Sequence, residues 1–156
     1  MIPFELAAIF ARLQLPAERA AGACALAAWA GVRQALVFGK DDEIGMFLPA
    51  PGLVRTLRDG RRWQQFLEQC SSDGERCAQM PDPDDGAPVQ AFGLACAAGQ
   101  AIFVFLDGRP DGQQCRALLA LAPLLGAQLA VEHAAHGCRR PLGGGARQQP
   151  PRQRRQ

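Results

Sequence analysis

The sequence contains no tyrosine, only two histidines and a single lysine. It has no apolar run near the roughly 18–20 residues that a membrane span needs, and its first five residues do not resemble a signal peptide. These absences predict a cytoplasmic protein that does not cross a membrane. Because tyrosine is missing and the apolar segments hold few polar residues, we expect any ligand pocket to be apolar, with little directional recognition.

Motifs of common enzyme families are also missing. The chain has no Gly-x-Ser-x-Gly, P-loop or dinucleotide-binding pattern. It has no Cys-x-x-Cys, and the one cluster of metal-ligand residues, His133, His136 and Cys138, lies at the end of a predicted helix and is too small for a closed site. The six cysteines are expected to be reduced, since cytosolic thiols stay reduced and several lie in apolar runs. No metal or cofactor is evident from the sequence.

Length and charge predict one domain and a tail. The chain has 156 residues, of which 48% are apolar and 21% charged, as is usual for a globular protein. Six of the arginines follow residue 138 with no acidic residue, which leaves 11 basic against 15 acidic residues before it. Residues 1–138 therefore carry a net negative charge, which does not predict specific nucleic-acid binding. We expect a domain over 1–137 and a disordered tail rich in Arg, Gln and Pro over 138–156.

Hydrophobic periodicity predicts an α/β (α+β) fold in three layers, with a central antiparallel sheet of five or six strands and flanking helices. One face of the sheet is expected to carry the terminal helices. The pattern predicts helices over 3–13, 17–30, 60–69 and 113–133. It predicts strands over 35–38, 44–48, 89–97 and 100–106, with a short edge strand over 77–80 inside a polar segment at 71–88.

The last predicted helix is apolar on more than one face, which is typical of a helix that packs on its own sheet and on a partner. We expect it to form a parallel dimer bundle in a homodimer. The predicted dimer residues are Leu118, Leu121, Leu125 and Leu129.

Two groups of residues are candidates for binding a ligand. Arg55, Arg58 and Arg61, together with Arg62, cluster where a helix is predicted to begin, and free amides beside guanidinium groups favour an anion. A solvated basic surface is the alternative. The second group could line a pocket between the sheet and a helix, with ordinary core packing as its alternative; its members are Met46, Leu48, Phe66, Met80 and Cys96.

Two stretches resemble the GAF domain, in particular the input domains of bacterial sensor histidine kinases. The first runs Gly45-Met46-Phe47-Leu48-Pro49-Ala50-Pro51-Gly52, then Thr56-Leu57, then Trp63-Gln64-Gln65-Phe66-Leu67. The second runs Ala101-Ile102-Phe103-Val104-Phe105-Leu106-Asp107-Gly108, then Leu118 to Gly126. With the order of the elements, the resemblance covers about residues 17–135. It implies a GAF/PAS-like fold and a non-catalytic sensory module for two-component signal transduction.

The resemblance leaves the partner and the mechanism open. Because no kinase sequence follows the last helix, a histidine kinase or another output domain would be a partner in trans. One alternative is a dimerisation scaffold with no small ligand. Another is a thiol enzyme similar to the GAF-type methionine sulfoxide reductases, with Cys77 as the nucleophile. Neither histidine lies near Cys77 or Cys96 in the sequence, which disfavours the enzyme.

Overall fold

A computed structural model describes residues 3–53 and 56–138 and confirms the α+β class. It has four helices and a five-stranded antiparallel sheet of order β2-β1-β5-β4-β3. The helices are α1 (Phe4–Leu13), α2 (Arg19–Ala30), α3 (Gly60–Asp73) and α4 (Gly112–Cys138). The strands are β1 (Gln34–Asp41), β2 (Met46–Pro49), β3 (Glu75–Pro81), β4 (Pro88–Cys96) and β5 (Ala101–Leu106).

The sheet separates two hydrophobic cores. Helices α1, α2 and α4 pack on one face, and α3 packs on the other. Strand β5 lies in the middle of the sheet and all six of its residues are buried. Since successive strand side chains point to opposite faces, Phe103 and Phe105 enter the first core while Ile102, Val104 and Leu106 enter the second. The prediction that the terminal helices share one face is therefore confirmed.

The segment at 71–88 differs most from its prediction as a polar loop. Helix α3 continues to Asp73, and β3 occupies seven residues at the edge of the sheet. Most side chains of β3 are exposed and only Met80 is buried. An edge strand covered on one side has few apolar residues, so its hydrophobic alternation is weak. The predicted short edge strand at 77–80 is the middle of this longer one.

Helix α3 begins without a side-chain cap. Asp59 stands at the N-cap position, but its backbone is left-handed, with φ of 54°, and its carboxylate makes no capping hydrogen bond. This conformation differs from the extended backbone of an ordinary N-cap residue. The side chains of Trp63 and Gln64, near the start of α3, instead form hydrogen bonds to the backbone of the sheet.

Side chains from the first turns of α3 reach both edges of the sheet. The Gln64 amide accepts a hydrogen bond from the Phe47 backbone N–H at 3.0 Å and donates to the Phe47 carbonyl, on β2. At the opposite edge, Trp63 Nε1 donates to the Pro81 carbonyl of β3 at 3.1 Å. Unpaired strand edges favour aggregation, and these bonds occupy part of each edge.

A buried arginine ties α4 to the rest of the domain. Arg19, at the start of α2, is 0% exposed and donates to the Leu13 carbonyl at 2.6 Å and the Pro51 carbonyl at 2.8 Å. Its two terminal nitrogens each lie 2.9 Å from a carboxylate oxygen of Glu132 on α4. One guanidinium therefore joins the α1–α2 turn, the segment after β2 and the far part of α4.

Candidate functional site

An open groove between β2 and the start of α3, the β2–α3 groove, has a volume of about 570 Å³. Its walls include three of the residues predicted to bind a ligand, Met46, Leu48 and Arg61. Gln64 and Glu68 of α3 also line it. The groove has the size of a small-molecule site, with mainly apolar strand residues on one side and polar helix residues on the other.

Three other predicted ligand residues belong to the cores. Phe66 and Met80 are 2% and 3% exposed and pack in the core beneath α3. Cys96 is 5% exposed and lies in the core on the other face of the sheet. The prediction that these three line one pocket with Met46 and Leu48 is therefore corrected. The sequence shows that they are apolar, but it does not show which face of the sheet each one occupies.

The arginines predicted to form an anion site contact different parts of the protein. Arg55 lies outside the described residues. Arg62 donates to the Gln79 carbonyl of β3 at 2.7 Å, and the Arg58 side chain packs against Gly86 in the β3–β4 loop. Of the three arginines that the structure describes here, only Arg61 lines the β2–α3 groove. The described residues therefore offer one guanidinium there, and the predicted arginine cluster is corrected to this single group.

Helix α4 places most of its predicted dimer residues in the protein's own core. Leu118, Leu125 and Leu129 are between 0% and 1% exposed, and Leu121 is half-buried. The three buried leucines are therefore unavailable for an interface. Leucines surround this helix, so periodicity alone does not identify the stripe that faces the sheet.

A different set of α4 residues is exposed, and we call it the outer face of α4. Its large members are Leu119, Leu124 and Val131, with exposures of 43%, 60% and 65%. Exposed small residues lie between them, and no charged residue occurs between Arg116 and Glu132. The full set is Leu119, Ala120, Pro123, Leu124, Ala127, Ala130 and Val131.

Residues Gly112–Glu132 of α4 are also long and apolar enough to cross a membrane, by length and composition alone. Core helices of compact domains pass the same test. Here Leu118, Ala122, Leu125 and Leu129 fill the core beside the sheet. The inner face of α4 is thus accounted for by the fold, and its outer face is the part that needs an explanation.

The cysteines differ sharply in environment. Burial raises the pKa of Cys70 and of Cys96 to about 12, so both thiols stay protonated at neutral pH and are poor nucleophiles. Cys77 is exposed on β3, and its sulfur lies 3.9 Å from a terminal nitrogen of Arg109. The same guanidinium lies 4.3 Å from the ring centre of Phe92. Sequence reasoning missed Arg109 because 32 residues separate it from Cys77.

A second ionic cluster lies where α2 leads into β1. Arg33 binds the carboxylates of Asp82 and Asp107. The pKa of Asp82 is lowered because its carboxylate accepts the backbone N–H of Asp84 and pairs with Arg33. The carboxylates raise the pKa of Arg33 in turn. Since every member is paired within the cluster, it joins the loops rather than forming an open site.

No model of a protein family matches this chain, and no curated protein matches it. Among the side chains that the structure describes, no three His, Cys, Asp or Glu residues are placed to hold a metal ion. The side chains of His133, His136 and Cys138 lie outside the described part. The features of the described residues that bear on function are therefore the β2–α3 groove, the outer face of α4 and the surroundings of Cys77.

Proposed function

We propose that the protein is a non-catalytic sensory module of the GAF type that acts in bacterial signal transduction in the cytoplasm. In this proposal it binds a small ligand in the β2–α3 groove and forms a homodimer through the outer face of α4. An output domain such as a histidine kinase is its partner in trans. The observation that carries the proposal is the large apolar surface that α4 exposes beside its buried face.

The spacing on the outer face of α4 supports packing against another helix. Ala120, Leu124, Ala127 and Val131 are four, three and four residues apart, which is the spacing of a coiled-coil seam. Small residues alternate with large ones along this line, so that two helices can approach closely. A contiguous apolar patch on a compact domain commonly marks an interface. In this proposal, the outer face of α4 packs against the outer face of α4 in a second copy of the chain.

The hydrogen bonds of Arg19 connect the segment beside the β2–α3 groove to α4, the helix that is proposed to form the dimer. Pro51, whose carbonyl binds Arg19, lies two residues after Pro49 of the groove wall. The same Arg19 holds Glu132 on α4 through two hydrogen bonds. A ligand that moves the segment after β2 would therefore bias the position of α4. A ligand changes the position of α4 only by binding one arrangement more tightly than the other.

Sedimentation equilibrium of the full chain and of two charge variants tests the interface. Leu124→Glu puts a carboxylate on the outer face of α4, whereas Gln113→Glu adds the same charge at the exposed start of the helix. We expect a dimer for the wild type and for Gln113→Glu, and a monomer for Leu124→Glu. Urea unfolding of both variants shows whether they are folded. A monomeric wild type, or a dimeric Leu124→Glu, would contradict the proposal.

A lipid surface is the other apolar partner that this face could meet. Flotation of the wild-type chain with liposomes separates the two interpretations. The proposal predicts that the protein stays at the bottom of the gradient as a dimer. Flotation that Leu124→Glu abolishes would instead assign the outer face of α4 to a membrane.

The observation that favours a thiol enzyme as the second candidate function is the exposed sulfur of Cys77, which lies 3.9 Å from a terminal nitrogen of Arg109. A methionine sulfoxide reductase assay with free methionine sulfoxide and dithiothreitol tests it. The matched variants are Cys77→Ser and Cys24→Ser, since both residues carry exposed thiols. The sensory proposal predicts no activity in any of the three proteins. Activity that Cys77→Ser alone abolishes would replace the sensory proposal by the enzyme.

A further inference from the structure

Strand β3 is the last strand of the sheet at the edge opposite β2. Just before β3, the Gly74 carbonyl accepts the Ala95 N–H at 2.7 Å, and just after it, the Asp82 N–H donates to the Ala87 carbonyl at 2.8 Å. These two bonds continue the pairing of β3 with β4 at even-numbered residues. Because successive peptide groups of a strand point in opposite directions, the odd-numbered residues of β3 direct theirs away from β4.

Only the C-terminal half of this outer edge is occupied by side chains of α3. They bind the carbonyls of Gln79 and Pro81. In the part of the chain that the structure describes, the outward peptide groups of Glu75 and Cys77 have no partner, and both residues are exposed. Open peptide groups at the edge of a sheet are a template for pairing with another strand.

One twofold register lets two β3 strands bond through these groups. With Cys77 opposite Cys77 of a second copy, each Cys77 N–H donates to the other Cys77 carbonyl, and the Gln79 N–H of each copy donates to the Glu75 carbonyl of the other. A register centred on Arg76 places two like charges directly opposite each other, which is destabilising. A register shifted the other way pairs Glu75 with Pro81, which has no N–H.

The charges at the two ends of α3 fit the same arrangement. Arg62, at the start of α3, binds the C-terminal half of β3, whereas Asp73 ends α3 beside the N-terminal half. A twofold axis through Cys77 exchanges the two halves, so that Arg62 of each copy lies near Asp73 of the other. Asp73 is 55% exposed and pairs with Arg76 through one oxygen only, which leaves its second oxygen for this contact.

We propose that the outer edge of β3 is a self-association surface, on which β3 of a second copy pairs antiparallel with Cys77 at the twofold axis. The pairing is weak, because it uses a few backbone hydrogen bonds and buries a small area. It goes beyond the proposed function and does not depend on the outer face of α4. Where both surfaces pair, each copy has two separate twofold interfaces, which join the copies into a chain.

Amide hydrogen exchange followed by NMR tests the pairing in Leu124→Glu, the variant designed to remove the interface on α4. As the protein concentration rises from micromolar to millimolar, we expect the exchange of the Cys77 amide to slow about twofold, as when about half of the copies are paired. The exchange of the Ala78 amide, which faces β4, is expected to stay constant. A Cys77 amide that does not respond to concentration would overturn the proposal and leave the edge to a strand of another protein.

Oxidative cross-linking of the wild-type chain gives a second measurement. In the proposed register the two Cys77 Cα atoms lie about 5.5 Å apart, within the range of about 4.4–6.8 Å that a disulfide needs. Diamide is the oxidant, and it takes up the two electrons and two protons that the thiols release as the S–S bond forms. Cys24 and Cys77 both carry exposed thiols. We expect a cross-linked dimer from the wild type and from Cys24→Ser, and none from Cys77→Ser.

Charge reversal distinguishes the proposed register from random collisions of exposed thiols. Arg62→Asp is expected to slow cross-linking about fivefold, because it places a carboxylate near Asp73 of the second copy, and adding Asp73→Arg should restore the rate. Arg116→Asp makes the same charge change at an exposed position on α4 and should have no effect. Urea unfolding shows whether the variants are folded. Equal rates for Arg62→Asp and Arg116→Asp, or no cross-linked dimer from millimolar wild type, would overturn the proposal.

Discussion

Removing the partner of Arg19 is expected to destabilise the domain strongly. In Glu132→Gln the guanidinium stays in place, 0% exposed, but loses the carboxylate that neutralises it. Its bonds to the carbonyls of Leu13 and Pro51 carry no compensating charge. Breaking a buried ion pair on one side typically costs about 3–5 kcal/mol, and we expect about 3 kcal/mol because the Glu132 side chain is 11% exposed.

Urea unfolding of four proteins gives the measurement: wild type, Glu132→Gln, Arg19→Met, and the double variant Arg19→Met with Glu132→Leu. The double variant removes both charges together, so it is expected to be more stable than either single variant. A loss below about 1 kcal/mol in Glu132→Gln would contradict a buried ion pair in which Arg19 needs the Glu132 carboxylate. So would a double variant whose loss equals the sum of the two single losses, because the pair would then contribute no coupling.

Three further predictions concern the core, the loops and the thiols. In Gly93→Ala the new Cβ would lie 2.4 Å from the Cys70 sulfur, so urea unfolding should show a loss of about 1–3 kcal/mol, whereas Gly60→Ala, with open space at its Cβ, should show none. Because the pKa of Asp82 is lowered in the fold, its stabilising effect is complete above about pH 5 and is lost as the pH falls through the native pKa. As the pH is lowered below about 5, the free energy of unfolding of Asp82→Asn, measured by chemical unfolding, should therefore fall less than that of the wild type. In the native protein at pH 8, peptide mapping after maleimide treatment should find the exposed Cys24 and Cys77 modified and the buried Cys70 unmodified; rapid modification of Cys70 would contradict its burial.

The sequence predicts the elements of this fold well where one physical signal dominates. The run Ala101–Leu106 is apolar throughout, and it is the central strand, buried on both faces. Gly31 ends α2 with a left-handed backbone, φ of 70°, as a glycine after a helix commonly does. The polar segment at 71–88 is predicted poorly, because an edge strand such as β3 needs few apolar residues.

The candidate site is less predictable because it depends on which face each residue occupies. Apolar character suggests equally that Leu118 and Leu124 belong to an interface, yet the first is 0% exposed and the second 60%. Only the packing of α4 on the sheet shows which of the two leucines is buried and which is exposed. Likewise, the pairing of Arg19 with Glu132 joins residues 113 positions apart, and no local pattern indicates it.

Native mass spectrometry of the full chain, purified from its own host, tests dimerisation and ligand binding in one measurement, because it reports stoichiometry and any retained small molecule together. We expect a species of twice the chain mass of 16.7 kDa, carrying additional mass when the β2–α3 groove is occupied. Leu124→Glu should shift it to the mass of one chain, and Gln113→Glu should not. A wild-type protein found only at 16.7 kDa would contradict dimerisation through the outer face of α4.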